Sequence, residues 1–112
     1  MSNTLEHSKL DADLLEALGL RPDLGKFWSN PTGAVQRDSG AYQRYGYPGS
    51  SDILGVLKDG TIACIECKTG SATQSKLQKL FQGMIQEYGG FYMVARDIEN
   101  TLKALETKCN PS

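Results

Sequence analysis

Leu10, Leu14 and Leu18 recur every four residues, with Leu15 and Ala17 beside them. That spacing predicts an amphipathic helix with one apolar stripe, closed by Gly19 and by Pro22 shortly after. Residues 26–50 keep no regular period and are rich in Gly, Ser, Asn, Pro and Tyr. They predict loops with one or two short strands, near residues 34–37 and 42–45. The segments DILGVL and TIACIECK then flank Lys58, Asp59 and Gly60, a hairpin in which Gly60 supplies the left-handed conformation of a three-residue loop. In SKLQKLFQGMIQEYGG the apolar positions Leu77, Leu80, Phe81, Met84, Ile85 and Tyr88 follow helical spacing, and Gly89 and Gly90 end the run. FYMVA (91–95) reads as a buried strand. Ile98, Leu102 and Leu105 mark a last helix with Asp97 as its N-cap. The order of elements predicts an α/β or α+β domain, a small mixed sheet covered by helices.

Three charges break this pattern inside the hairpin: Asp52, Glu66 and Lys68. Side chains alternate along a strand, so Glu66 and Lys68 share a face with Ile62 and Cys64, and Asp52 shares one with Leu54 and Val56. A three-residue loop pairs Leu57 with Thr61, Val56 with Ile62 and Leu54 with Cys64, which brings Asp52 opposite Glu66. A two-residue loop would set Asp52 opposite Cys67 and aim the carboxylates at opposite faces. Facing carboxylates repel, and Lys68 or a divalent cation can offset the repulsion. Oxygen ligands of this kind suit Mg²⁺ or Mn²⁺, and a lysine beside such an ion suits phosphodiester hydrolysis. A salt-bridged cluster at a solvated strand end would use the same three residues and do no chemistry.

The chain has 112 residues, 39% hydrophobic and 22% charged, which is the make-up of one ordinary globular domain with a modest core. No apolar run reaches the length of a membrane span, and the polar start is not a signal peptide, so a cytoplasmic protein is expected. Net charge is −1, which argues against a protein that simply coats nucleic acid. The charge is nevertheless uneven: residues 26–79 hold seven basic and four acidic groups, while both flanks are net acidic.

Within that basic stretch Arg37, Arg44, Lys76 and Lys79, with Tyr42, Tyr45 and Tyr47 interleaved, suit phosphate gripping and stacking on unpaired bases. A solvated, tyrosine-stabilised loop is the plainer reading. Asn30 either contacts DNA or caps a turn. Cys64 and Cys67 form a CxxC, but a strand points them to opposite faces, and only Cys109 and His7 remain as partners for zinc. Buried thiols are expected instead. The lone His7 reads as a surface residue, and Trp28 as core.

Taken together, GYPGSSD (46–52), the hairpin, Glu66-Cys67-Lys68, Ser75-Lys76-Leu77-Gln78 and Gly89-Gly90 before an apolar strand resemble the VRR-NUC family of the PD-(D/E)XK nuclease superfamily. FWSNPTGA (27–34) is similar to that family's segment between first helix and hairpin, and the resemblance spans roughly residues 5 to 105. It implies a free-standing, restriction-endonuclease-like domain with an αβββαβ core, acting as a Mg²⁺- or Mn²⁺-dependent DNA endonuclease. It also implies Asp52, Glu66 and the Cys67 carbonyl as metal ligands, Lys68 as the catalytic lysine, and Gln78 as an organiser of water or phosphate. The family's first-helix glutamate falls on Glu6 by distance, with Glu16 and Asp13 as rivals. Ser51 stands where the superfamily name expects proline. Free-standing members resemble Holliday-junction resolvases, which implies a homodimer on branched or flapped DNA, and a domain this short hints at a phage or mobile element. A non-catalytic nucleic-acid-binding module of the same fold is the main rival, and a domain that mediates only protein contacts comes after it.

Overall fold

A computed structural model describes residues 4–111; the first three residues of the polar start and Ser112 lie outside it. The leucine-striped segment forms helix α1 (Thr4–Gly19). Strands β1 (Gly25–Ser29), β2 (Gly33–Gln36) and β3 (Tyr42–Tyr45) follow, then the hairpin strands β4 (Ile53–Leu57) and β5 (Ile62–Cys67). Helix α2 (Lys76–Glu87), strand β6 (Phe91–Ala95) and helix α3 (Ile98–Cys109) complete the chain. Four strands make one mixed sheet in the order β1-β4-β5-β6, with β2 and β3 paired separately. The expected α/β architecture is present: β1, β4 and β5 run antiparallel in turn, and β6 lies parallel to β5 through the α2 crossover.

The hairpin takes the three-residue register. Leu54 pairs with Cys64 and Val56 with Ile62, and the Leu57 N–H donates to the Thr61 carbonyl at 2.8 Å. Gly60 sits at φ 91°, where a side chain would strain the turn, and Asp59 Oδ1 accepts from the Thr61 N–H at 2.9 Å. Loop chemistry thus fixes the register, and the register fixes which residues share a face.

The two faces of the sheet are covered differently. On one, Ile53, Leu57, Ala63, Ile65, Cys67 and Ala95 pack against Leu14 and Leu18 of α1 and Leu105 of α3, all essentially buried. Each leucine or isoleucine among them contributes about 1.5–3 kcal/mol on burial. On the other face, Cys64 and Tyr92 pack with Phe81 and Ile85 of α2 alone. Cys64 and Cys67 therefore belong to separate clusters, and all three cysteines are free thiols.

Three expectations are corrected. Strand β1 lies where loops were predicted: it is an edge strand held by its backbone ladder to β4, a bond pattern that needs no apolar period. Trp28 is 49% exposed rather than core, because its face of the edge strand lies outside the cluster built by α2. Helix α2 has the predicted spacing, but only Phe81 and Ile85 are buried; Leu77, Leu80 and Tyr88 stay exposed. Asp97 does cap α3, its Oδ1 accepting from the Asn100 N–H at 2.7 Å. No described helix is long and apolar enough to cross a membrane.

Candidate metal centre

Four elements deliver side chains to one end of the sheet. Asp52 immediately precedes β4, Glu66 and Lys68 stand at the end of β5, Gln78 lies in the first turn of α2, and His7 projects from the start of α1. All five line one open cleft of ≈ 430 Å³, together with Thr69, Ala72 and Thr73.

Local chemistry explains how each is held. The Asn30 N–H donates to the Asp52 carbonyl at 2.8 Å, and the Asn30 side-chain amide donates to Ser50 Oγ at 2.6 Å and to the Ser51 carbonyl at 2.9 Å. Asn30 thus pins the approach to β4, the turn-capping role of its two readings. At Gly49 (φ 76°) a Cβ would meet the Leu77 carbonyl oxygen at 2.3 Å, so the bare backbone lets this approach lie against the start of α2. Ser51, where proline was expected, is fully buried and donates to the Ile53 carbonyl at 3.1 Å.

Asp52 Oδ2 accepts from the Cys67 N–H at 2.8 Å, across the register predicted for the hairpin. In an extended strand a residue's N–H and C=O point to the same side, so the Cys67 carbonyl also faces Asp52. Glu66 is 2% exposed. Its Oε1 accepts from Gln78 Nε2 at 3.1 Å, while its buried Oε2 has no hydrogen-bond partner. Gln78 is engaged on both sides, since its Oε1 also accepts from the Ser75 N–H at 2.8 Å in a capping box completed by Ser75 Oγ. Gln78 therefore positions Glu66 in this structure.

His7 is the residue that sequence reading missed. Its Nε2 lies 3.2 Å from Asp52 Oδ2, and donor atoms of His7, Asp52 and Glu66 fall within 4.8 Å of one another. Among the described residues these three form the only group placed to hold a metal ion. The proposed first-helix acids lie elsewhere. Glu6 is exposed and outside the group, Asp13 pairs with Lys9 at 2.8 Å, and Glu16 is exposed. Helical geometry is the reason: position 7, not 6, continues the Leu10, Leu14, Leu18 stripe that meets the sheet. Asp11 follows His7 at i+4 and accepts from Cys67 Sγ at 3.9 Å.

Electrostatics concentrate on Glu66. Its carboxyl is pushed up to about 9, first by burial, which strips water from the charged form, and then by Asp52 beside it; Lys68 acts in the opposite direction. Burial and the neighbouring Asp52 likewise raise Asp11. Among the described residues no ion pair joins Lys68 to either acid, so the salt-bridged cluster that would have accounted for these charges does not form. A buried carboxylate oxygen without a donor, a second carboxylate and an imidazole within reach fit a divalent cation.

Arg37, Arg44, Lys76 and Lys79 are all exposed. Arg37 and Arg44 stand in and beside the β2–β3 hairpin, where Arg37 donates to Gln43; Lys76 and Lys79 stand on the first turn of α2. A groove of ≈ 370 Å³ runs between the hairpin and α2, lined by Arg44, Tyr45, Tyr47 and Leu77 among others. Leu77 lines this groove and Gln78 the cleft, so the first turn of α2 contributes to both depressions. Neither a family model nor a curated protein matches this chain.

Proposed function

We propose that this protein is a metal-dependent DNA endonuclease of the VRR-NUC type, with Mg²⁺ or Mn²⁺ as its cofactor. The observation that carries the reading is the buried, partnerless Glu66 Oε2 beside Asp52, in a cleft that also holds an unpaired Lys68. A buried carboxylate oxygen left without a donor costs about 1–3 kcal/mol or more, and a cation removes that cost. The sequence α1, β1, β4, β5, α2, β6 supports the restriction-endonuclease-like αβββαβ core, with β2 and β3 as an insertion between its first two strands.

Asp52, Glu66 and the Cys67 carbonyl would hold the cation. When bound, a divalent ion supplies Lewis-acid polarisation of the phosphate and a water of lowered pKa. Lys68 would orient the attacking water and stabilise the charge that develops on the phosphorane as one P–O bond forms and the other breaks. Gln78 keeps Glu66 aimed into the cleft. The groove beside the β2–β3 hairpin, with Arg44, Tyr45 and Tyr47, would carry the backbone and unpaired bases of a branched substrate toward the cleft. A homodimer would present two such clefts to a symmetric junction.

Incubation with a labelled four-way junction, a flap and a plain duplex, in Mn²⁺ or in EDTA, tests the reading. Branched DNA should be cut only with metal, and Asp52→Ala or Lys68→Ala should lower the rate by about 10²–10³-fold or more while binding survives. DNA that is retarded but never cut would instead indicate a non-catalytic binding module.

A further inference from the structure

The nuclease reading needs a cation but leaves open which one, and the residue that sequence reading passed over decides this. We propose that His7 is itself a ligand, through Nε2, and that its nitrogen makes the centre select Mn²⁺ over Mg²⁺. The inference rests on the metal-centre reading and adds to it a donor and a selectivity.

His7 sits on α1 at the polar end of the apolar stripe; Leu10 and Leu14, at i+3 and i+7, pack into the core beneath it. Packing therefore fixes where its ring points, and the side chain is 31% exposed rather than free in solvent. Its Nε2 is 3.2 Å from Asp52 Oδ2, and one ring nitrogen lies within 4.8 Å of a Glu66 oxygen. A simple His–Asp contact explains only half of this arrangement. It satisfies Asp52, yet Glu66 Oε2, essentially buried in the same place, still has no partner. One cation among the three donors satisfies all of them.

Donor chemistry then sets the preference. Asp52, Glu66 and a backbone carbonyl alone are a hard oxygen set, which Mg²⁺ accepts as readily as its strict octahedral geometry allows. An imidazole nitrogen is a poor partner for Mg²⁺ but a good one for first-row transition ions, of which Mn²⁺ also tolerates carboxylate oxygens. With His7 as a nitrogen donor beside two carboxylates, the site therefore moves away from magnesium.

The chain contains a single histidine, which makes the test unusually specific. With tag-free protein, calorimetric titration should give tighter binding of Mn²⁺ than of Mg²⁺. Pulsed EPR of the bound Mn²⁺ should show coupling to imidazole ¹⁴N, assignable only to His7. In His7→Gln the ¹⁴N coupling should vanish and the Mn²⁺:Mg²⁺ affinity ratio should fall roughly tenfold, most of it through Mn²⁺. If wild-type protein binds both ions without ¹⁴N coupling, or if the ratio survives His7→Gln, His7 is no ligand and the nuclease reading stands without it. If wild-type protein binds neither ion, the metal centre itself fails, and this inference with it. The EPR result on wild-type protein holds even should the variant fold poorly.

Discussion

Strand β5 presents two different regions of the molecule within six residues. Ala63, Ile65 and Cys67 point into the thick core between α1 and α3, with Asp11 as a polar neighbour only at the Cys67 end. Cys64 and Glu66 point the other way, toward α2, where the covering layer is one helix held by two buried residues. At the end of that thinner face the sheet gives out, α1 reaches around it with His7, and the buried Glu66 carboxyl keeps one oxygen, Oε2, without a hydrogen-bond partner. The difference teaches where this fold concentrates stability and where it gives some up. The apolar face can hold the strands in place while the other carries a carboxylate that the same environment disfavours.

Adjacent residues should therefore fail in opposite ways. Ile65→Ala should cost about 2–5 kcal/mol in urea unfolding, a large share of the total stability of a domain this size, while on the proposed nuclease reading the cutting rate per folded molecule stays unchanged. Loss of cutting in molecules shown to be folded would mean the two faces are not separable.

Glu66→Gln should do the reverse, raising stability without metal and abolishing metal binding. The pH dependence has a definite sign. Folded Glu66 titrates near 9, above its unfolded value near 4.5, so its protonated form is the stable one. The Glu66 contribution to stability of the metal-free protein is then fully present below about pH 4.5 and is lost as pH rises toward 9, by at most about 1.4 kcal/mol per pH unit. Urea midpoints should drift down over that window in wild-type protein, stay flatter in Glu66→Gln, and recover on adding Mn²⁺ only in wild type. A wild-type profile as flat as the variant's would remove the case for a disfavoured buried charge.

The fold and half of this site were legible in the sequence for identifiable reasons. Leu57 and Thr61 bracket a loop whose length dictates register, and register brought Asp52 to Glu66, while alternation along β5 separated Cys64 from Cys67. Both are local relations along one hairpin. His7 was not legible as a site residue because its nearness to Asp52, 45 positions away, depends on how α1 docks. A signal was present all the same: position 7 continues the stripe of Leu10, Leu14 and Leu18, so a polar residue there had to face the sheet. Strand β1 escaped notice because an edge strand needs only backbone partners, and Trp28 misled because a large apolar residue does not say which face of a sheet its neighbours cover.

The finest distinction concerns two residues that share one helix cap. Ser75 and Gln78 cap α2 reciprocally, but Gln78 alone also reaches Glu66 Oε1. Ser75→Ala should cost about 1 kcal/mol of stability through the cap and leave Mn²⁺ affinity nearly untouched. Gln78→Ala should cost a similar amount and in addition weaken Mn²⁺ by about tenfold, because a carboxylate oriented by a neighbour loses that orientation. Thermal melts and calorimetric titrations of the two variants side by side measure both quantities. Equal effects on Mn²⁺ would mean that Gln78 matters only as a cap, and that the first turn of α2 as a whole, rather than one amide, sets the aim of Glu66.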